Sequence, residues 1–249
     1  MTERKRDMER EKYPTLTPAE YILDEEDLIT NPETRAPIIF CVDCSFSMRQ
    51  EQRLERVMEG IESFCKDLSK NETACASVEV CIVSYGGEMA RVERDFTHPD
   101  QISLPQLVTE GETPLADAVN TGLKNLDMRK RRYQDNGISC YRPWLILIGD
   151  GDETMSRREL NEAAAILKAE SEAKHLNVLC VVVGEEKRVE CASLMKLSPE
   201  GKVYYLRDLK FKDFFSWLSR SIEKTSLSMR GEELHYEPTA TWGEILERT

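Results

Sequence analysis

The stretch IIFCVDCSFSMRQ, residues 38–50, opens as an apolar strand and closes on a carboxylate and two hydroxyls at alternate positions, Asp43, Ser45 and Ser47. An unbroken apolar run of this kind suits a strand buried on both faces of a parallel sheet. In open α/β sheets, ligands bind outside the carboxyl ends of the strands, at the point where strand order reverses. Oxygen-bearing side chains at such a strand end are therefore candidates for a binding site.

The flanking sequence supplies the rest of that fold. From about Gln50 to Ser69, Leu54, Val57, Met58, Ile61, Phe64, Cys65 and Leu68 recur at helical spacing, which predicts a helix. SVEVCIVSY (77–85) reads as a second strand, and MARVERDF (89–96) resumes alternation after Gly86 and Gly87, as an antiparallel hairpin partner at a sheet edge does. In TEGETPLADAVNTGLKNLDMRKRR (109–132), Thr113 is placed to cap a helix with Pro114 in its first turn. WLILIGDGDET (144–154) is an apolar strand ending at Asp150, and Ser156 with Glu159 forms a capping box that opens a helix through about Lys174. NVLCVVVG (177–184) is the next strand; a short helix near 190–196, an edge strand KVYYL (202–206) and a helix FKDFFSWLSRSI (211–222) follow. The expected fold is α/β: a doubly wound, mostly parallel sheet with one antiparallel edge strand and helices on both faces. A charged, proline-bearing arm at 1–35 precedes the domain at 36–226, and a tail at 227–249, with Trp242 available to dock it, follows.

Composition narrows the function. The 249 residues carry a formal charge of -12 and a pI of about 5.0, so the long-range field repels phosphate backbones and anionic membranes. The expectation is no nucleic acid and no membrane as partner. The longest apolar run, VLCVVVG from Val178, is too short to span a bilayer, and MTERKRDMEREK lacks the apolar stretch of a secretory signal. A cytoplasmic protein with reduced thiols is expected, Cys65, Cys81 and Cys180 falling at apolar positions. Cys41 and Cys44 form a CxxC, yet no second pair or His spacing completes four zinc ligands, and strand alternation points the two to opposite faces. His98, His175 and His235 have no ligand spacing to one another and read as surface or loop residues. RKRR (129–132) reads as positive charge favoured at a helix C-terminus, and Asp117 as negative charge favoured at its N-terminus. Asp152 and Glu153 read as solvated loop charges.

Five side chains from three loops are thus expected at one sheet edge: Asp43, Ser45, Ser47, Thr113 and Asp150. All offer oxygen, which suits a hard cation such as Mg²⁺ better than zinc or copper. Taken singly, the serines also suit a turn and Thr113 an N-cap. In this order, Asp43-x-Ser45-x-Ser47, TPLADA and ILIGDG resemble the metal-ion-dependent adhesion site of von Willebrand factor type A domains. The resemblance covers about residues 37–225, and YRPWLILIGDG and LKFKDFFSWLSRSI are similar to the bacterial branch of YegL-like and tellurium-resistance-associated proteins. It implies direct coordination by Ser45, Ser47 and Thr113, with Asp43 and Asp150 acting directly or through water. Mg²⁺ is the implied ion, with Mn²⁺ or Ca²⁺ as alternatives, and its open position would take the Asp or Glu of a protein partner. It further implies a role in bacterial stress or signalling beside protein kinases and PP2C-type phosphatases.

Two residues depart from that pattern. Phe46 stands where the family usually has Gly and is expected to pack beside the ion, while Glu112 stands where a Gly often precedes the Thr. Glu112 is expected either to strengthen cation binding or to plug the partner's position. A noncatalytic interaction module is the leading expectation. A Mg-dependent phosphatase or hydrolase using Asp43 as nucleophile is one alternative, though the DxD such phosphatases need at that strand end has Ser45 in its third position, and no phosphate-loop pattern is found. A scaffold with a vestigial metal site is the other.

Overall fold

The computed structural model describes residues 26–150, 156–184, 191–206, 211–227 and 243–247. Seven strands form one sheet: β1 (Ala36–Asp43), β2 (Val78–Gly86), β3 (Met89–Thr97), β4 (Trp144–Gly149), β5 (Asn177–Val182), β6 (Lys202–Leu206) and β7 (Gly243–Glu247). Their order is β3-β2-β1-β4-β5-β6-β7. The five inner strands are parallel, and β3 and β7 close the two edges antiparallel. The expected antiparallel edge at β3 is present. KVYYL is not an edge, because residues 243–247, within the stretch read as a tail, pair along it with Val203 opposite Leu246.

After a short helical stretch at 26–30 come α1 (Arg53–Leu68), α2 (Glu72–Ser77), α3 (Leu115–Asp135), α4 (Arg157–Glu172), α5 (Ala192–Leu197) and α6 (Phe211–Leu227), with a 3-10 turn over Phe46–Gln52. Helix α1 begins three residues later than its periodicity predicts. Gln50 is extended at ψ 134°, and Glu51 and Gln52 take left-handed φ of 53° and 56°, so a regular helix cannot start before Arg53. The Ser156 cap forms as predicted, its side chain accepting from the Glu159 amide.

Alternation along β1 divides the interior in two. Ile38, Phe40 and Val42 enter one core with α1 and α6, and Ile39 and Cys41 enter the other with α3, α4 and α5. In the first, the Phe40 ring meets Phe64 edge-on at 5.4 Å and Phe215 at 5.9 Å, distances at which aromatic rings attract beyond simple burial. Gly60 admits Phe215: a Cβ there would lie 2.2 Å from the ring. Cys41 and Cys44 fall in different cores, so the CxxC cannot close on one metal. Burial, with the Asp43 charge adding, pushes the Cys44 thiol up to about 12, and burial drives Cys41 higher still; neither is a ready thiolate.

The chain turns from β1 to β2 on one side and reaches β4 on the other. That reversal places the carboxyl ends of β1 and β4 side by side, with Val42 paired to Ile148 immediately before Asp43 and Gly149.

Candidate metal centre

Asp43 closes β1 fully buried, and one carboxylate oxygen, Oδ1, accepts the Ser45 amide at 2.7 Å. This turn directs the chain so that the Ser45 and Ser47 hydroxyls meet at 2.9 Å. Ser47 Oγ then donates to Asp150 Oδ1 at 2.6 Å across 103 residues of sequence. Asp43, Ser45, Ser47 and Asp150 are thus brought to one place. The second Asp43 oxygen, Oδ2, is buried without an aligned hydrogen bond. Burial pushes the Asp43 carboxyl up to about 7 against the lowering pull of Ser45, and the Asp150 charge adds to the rise.

Gly149 is required at this edge. A Cβ on it would stand 2.5 Å from the Tyr85 hydroxyl and 2.8 Å from Asp43 Oδ2, while that hydroxyl donates to the Ile148 carbonyl at 3.0 Å. Thr113 is buried on a loop fastened over Cys44, where the Glu110 amide donates to the Cys44 carbonyl at 2.6 Å. Helix α3 follows it directly, with Pro114 in the cap position and the Leu115 amide bonded to the Thr113 carbonyl at 2.9 Å. Phe46 does not pack inward. It is 55% exposed, with the Arg49 guanidinium 4.6 Å above its ring. Glu112 is exposed, and Asp152 and Glu153 lie outside the described residues.

These donors fit a small divalent cation by chemistry: two carboxylates and clustered hydroxyls, one carboxylate oxygen buried and unsatisfied. Such an orphaned oxygen is costly unless a cation or donor reaches it. The motif reading missed Arg53, whose Nη1 donates to Asp150 Oδ2 at 2.6 Å. A signal existed, because Arg53 occupies the same helical stripe as Val57, Ile61 and Phe64, where a charge needs a buried partner.

Asp27, Glu79 and His98 form a second cluster, their ligand atoms within 4.8 Å of one another. By spacing they could hold an ion, but guanidinium and ring N–H groups already face those atoms. Arg35 Nη2 reaches Asp27 Oδ2 at 2.8 Å and Arg35 Nε reaches Glu79 Oε1 at 3.1 Å. Arg129 Nε and the Tyr133 hydroxyl both donate to Glu79 Oε2. Adding a divalent charge beside two guanidiniums is unfavourable, and we read this as an ion-pair network. It corrects three expectations. His98 is buried, with Nδ1 on the Cys75 and Val78 carbonyls and Nε2 on Asp27; Arg129 is a buried partner of Glu79; and the arm's last residue, Arg35, is fully buried. Asp117, beyond its place in the first turn of α3, accepts the Ala90 amide of β3 at 2.7 Å. His175 is a surface residue as expected, and His235 and Trp242 lie outside the described residues.

The network predicts a pH dependence. Burial works to lower the His98 pKa, but the hydrogen bond to Asp27 and the Glu79 charge raise it overall. A raised histidine contributes stability that is complete below its ordinary 6.5 and is lost as pH rises through the folded value. Asp27 works oppositely: burial would raise it, but the His98 contacts and the Arg35 charge hold it at about 2. Its contribution fades only in acid, as pH falls from 3.8 through about 2. Urea denaturation from pH 6 to 9 is therefore expected to show declining stability, with a shallower decline in His98→Gln; equal slopes would refute the assignment.

Comparison with known proteins agrees with this architecture. Among curated proteins, none matches the chain. A von Willebrand factor type A structure from Catenulispora acidiphila superposes with a TM-score of 0.55 at 18% identity, covering 76% of this chain and 43% of that one. The PilB minor pilin of Streptococcus sanguinis gives 0.56 at 13%, covering 77% and 62%. The pilus adhesin SpaC of Lactobacillus rhamnosus GG, in its open conformation, gives 0.56 at 12%, covering 78% and 31%. The chain thus spans less than two thirds of each, and at these identities the likeness is one of fold. The family profile described as von Willebrand factor type A domain matches residues 38–217. The chain, with a doubly wound sheet whose strand-end oxygens meet at the β1/β4 switch point, belongs to the von Willebrand factor type A domain family.

Proposed function

We propose that this chain is a divalent-cation-dependent protein-interaction module that uses Asp43, Ser45, Ser47, Thr113 and Asp150 to hold Mg²⁺, with Mn²⁺ or Ca²⁺ as alternatives. The observation that carries the reading is the buried, unsatisfied Asp43 Oδ2 beside the Ser45–Ser47–Asp150 oxygen chain. Von Willebrand factor type A domains mediate protein–protein interactions and bind divalent metals at this motif. A bound cation would supply an open coordination position for a partner's Asp or Glu. The protein's own part is to aim its hydroxyls and keep two carboxylates close, which its left-over charge alone would not favour. At a net charge of -12 the chain's field opposes an acidic partner, so local positive charge has to carry the recognition.

Complete burial of Asp43 supports a binding role over that of a nucleophile open to a phosphoester. We place the protein in the cytoplasm of a bacterium, in the YegL-like branch and in a stress or signalling system with a kinase or PP2C-type phosphatase. Its eight cysteines, which form no disulfide among the described residues, support a reducing compartment. Among the described residues, no helix is long and apolar enough to cross a membrane.

Calorimetric titration of Mg²⁺ and Mn²⁺ tests the site, and capture of partners with and without chelator tests its use. Ser45→Ala is expected to lower cation affinity about tenfold or more and to remove the chelator-sensitive partner. Unchanged affinity in both Ser45→Ala and Asp43→Ala would refute the reading.

A further inference from the structure

The two carboxylates of the candidate centre do not face each other alone. Arg53 is 7% exposed, and its Nη1 donates to Asp150 Oδ2 at 2.6 Å while Ser47 holds Oδ1. Both oxygens of Asp150 are therefore engaged by the protein itself. The other nearby acid, Glu51, is a weak competitor for the guanidinium, at 3.9 Å and 46% exposed.

Two features show that Arg53 is held there at a cost. Its Nε is buried with no hydrogen-bond partner, which leaves part of a charged group desolvated without return. The chain also enters α1 through two successive left-handed residues that are not glycine, Glu51 and Gln52. Such backbone is sparsely populated and persists where the surroundings impose it. Its effect is to start the helix at Arg53, whose side chain meets Asp150.

Building on the metal-site reading above, we propose that Arg53 is a resident counter-cation of the centre, which pairs with Asp150 in the metal-free protein and sets a weak, exchangeable affinity for divalent cations. The charge balance gives the direction. Asp43 and Asp150 carry two negative charges when ionised, and Arg53 cancels one of them. A fixed positive charge close to a divalent ion repels it, and the Arg53–Asp150 pair resists releasing Oδ2. Arg53 thus acts as a specificity-determining residue, stabilising the empty centre and lowering the gain on filling it. A module built this way exchanges cation and partner readily.

The experiment is Mn²⁺ titration of chelator-stripped protein, by calorimetry and by the electron paramagnetic resonance signal of free Mn²⁺, together with thermal unfolding in EDTA. Arg53→Gln, which keeps an N–H donor without charge, is expected to bind Mn²⁺ at least about fivefold more tightly than wild type, since even modestly screened charges at contact distance have effects of this size. Its unfolding temperature in EDTA should fall and recover on adding Mn²⁺. Arg53→Lys, which keeps the charge, should stay within about twofold of wild type and guards against a folding defect in the first variant. Equal or weaker binding by Arg53→Gln, with wild type binding normally, overturns the counter-cation role and leaves the metal site standing. Equally tightened binding by Arg53→Lys also overturns it, because shape and not charge would then be responsible. Absence of Mn²⁺ binding in wild type and both variants overturns the metal-site reading and this proposal with it.

Discussion

Glu79→Gln is expected to lower the unfolding free energy by about 3–5 kcal/mol, because breaking one side of a buried ion pair leaves uncompensated charge in the interior. Glu79 is fully buried at the start of β2, and its two oxygens are shared by Arg129, Arg35 and Tyr133. An amide fills nearly the same volume, so little of the loss comes from packing. What changes is that the Arg35 and Arg129 guanidiniums, 0% and 5% exposed, face a neutral group. For a domain of this size each kcal/mol moves the midpoint by roughly 2–4 °C, so a fall of about 6–20 °C should appear in circular dichroism melts at pH 7. Burial alone would raise the Glu79 pKa, but the charge and hydrogen bonds of Arg129 hold it below its ordinary 4.5. A depressed carboxyl gives stability above its unfolded value that is lost as pH falls through the folded one. The gap between wild type and variant should therefore shrink below pH 4.5. A variant that melts within 1 °C of wild type at pH 7 would show the network to be nearly neutral.

The same residue explains what the sequence left hidden. The sheet was legible because β1 and β4 are near-continuous apolar runs and β2 is mostly apolar, all three buried along their whole length, and periodicity reports burial directly. The strand-end oxygens were legible because fold and motif agreed on one edge. Glu79 in SVEVCIVSY was visible as a charge in a buried strand, but its partners come from the arm at Arg35 and from α3 at Arg129 and Tyr133, and the network runs on from Arg35 to Asp27 and from there to His98 in the loop after β3. Nothing in local spacing links those positions. Helix starts failed for a related reason: Glu51 and Gln52 adopt left-handed backbone that their residue types do not announce. Strand β7 was missed because five residues with two apolar positions make a weak alternation, and the edge they cover belongs to β6.

Asp150→Ala is the second large effect, and it separates two roles that one residue combines. As a cation ligand alone, Asp150 would add nothing to the protein in chelator. As the partner of Arg53 it holds a charge pair whose side chains are 2% and 8% exposed, and its removal should cost about 3–5 kcal/mol even in EDTA. An opposing effect exists: the Asp150 charge helps push Asp43 up to about 7, after burial, and losing it relieves that repulsion. The relief is the smaller quantity, since burial and not Asp150 is the main cause of the Asp43 shift, whereas Arg53 loses its closest acceptor while its Nε is already without one. Adding Arg53→Met to Asp150→Ala removes the stranded guanidinium and should restore much of the loss, a coupling of about 1–3 kcal/mol in a double-mutant cycle. Urea melts of the four proteins in EDTA measure it directly. If Asp150→Ala is as stable as wild type without metal, or if the two changes simply add, then Arg53 does not depend on Asp150 in the empty centre, and the affinity of that centre must be set by its oxygens alone.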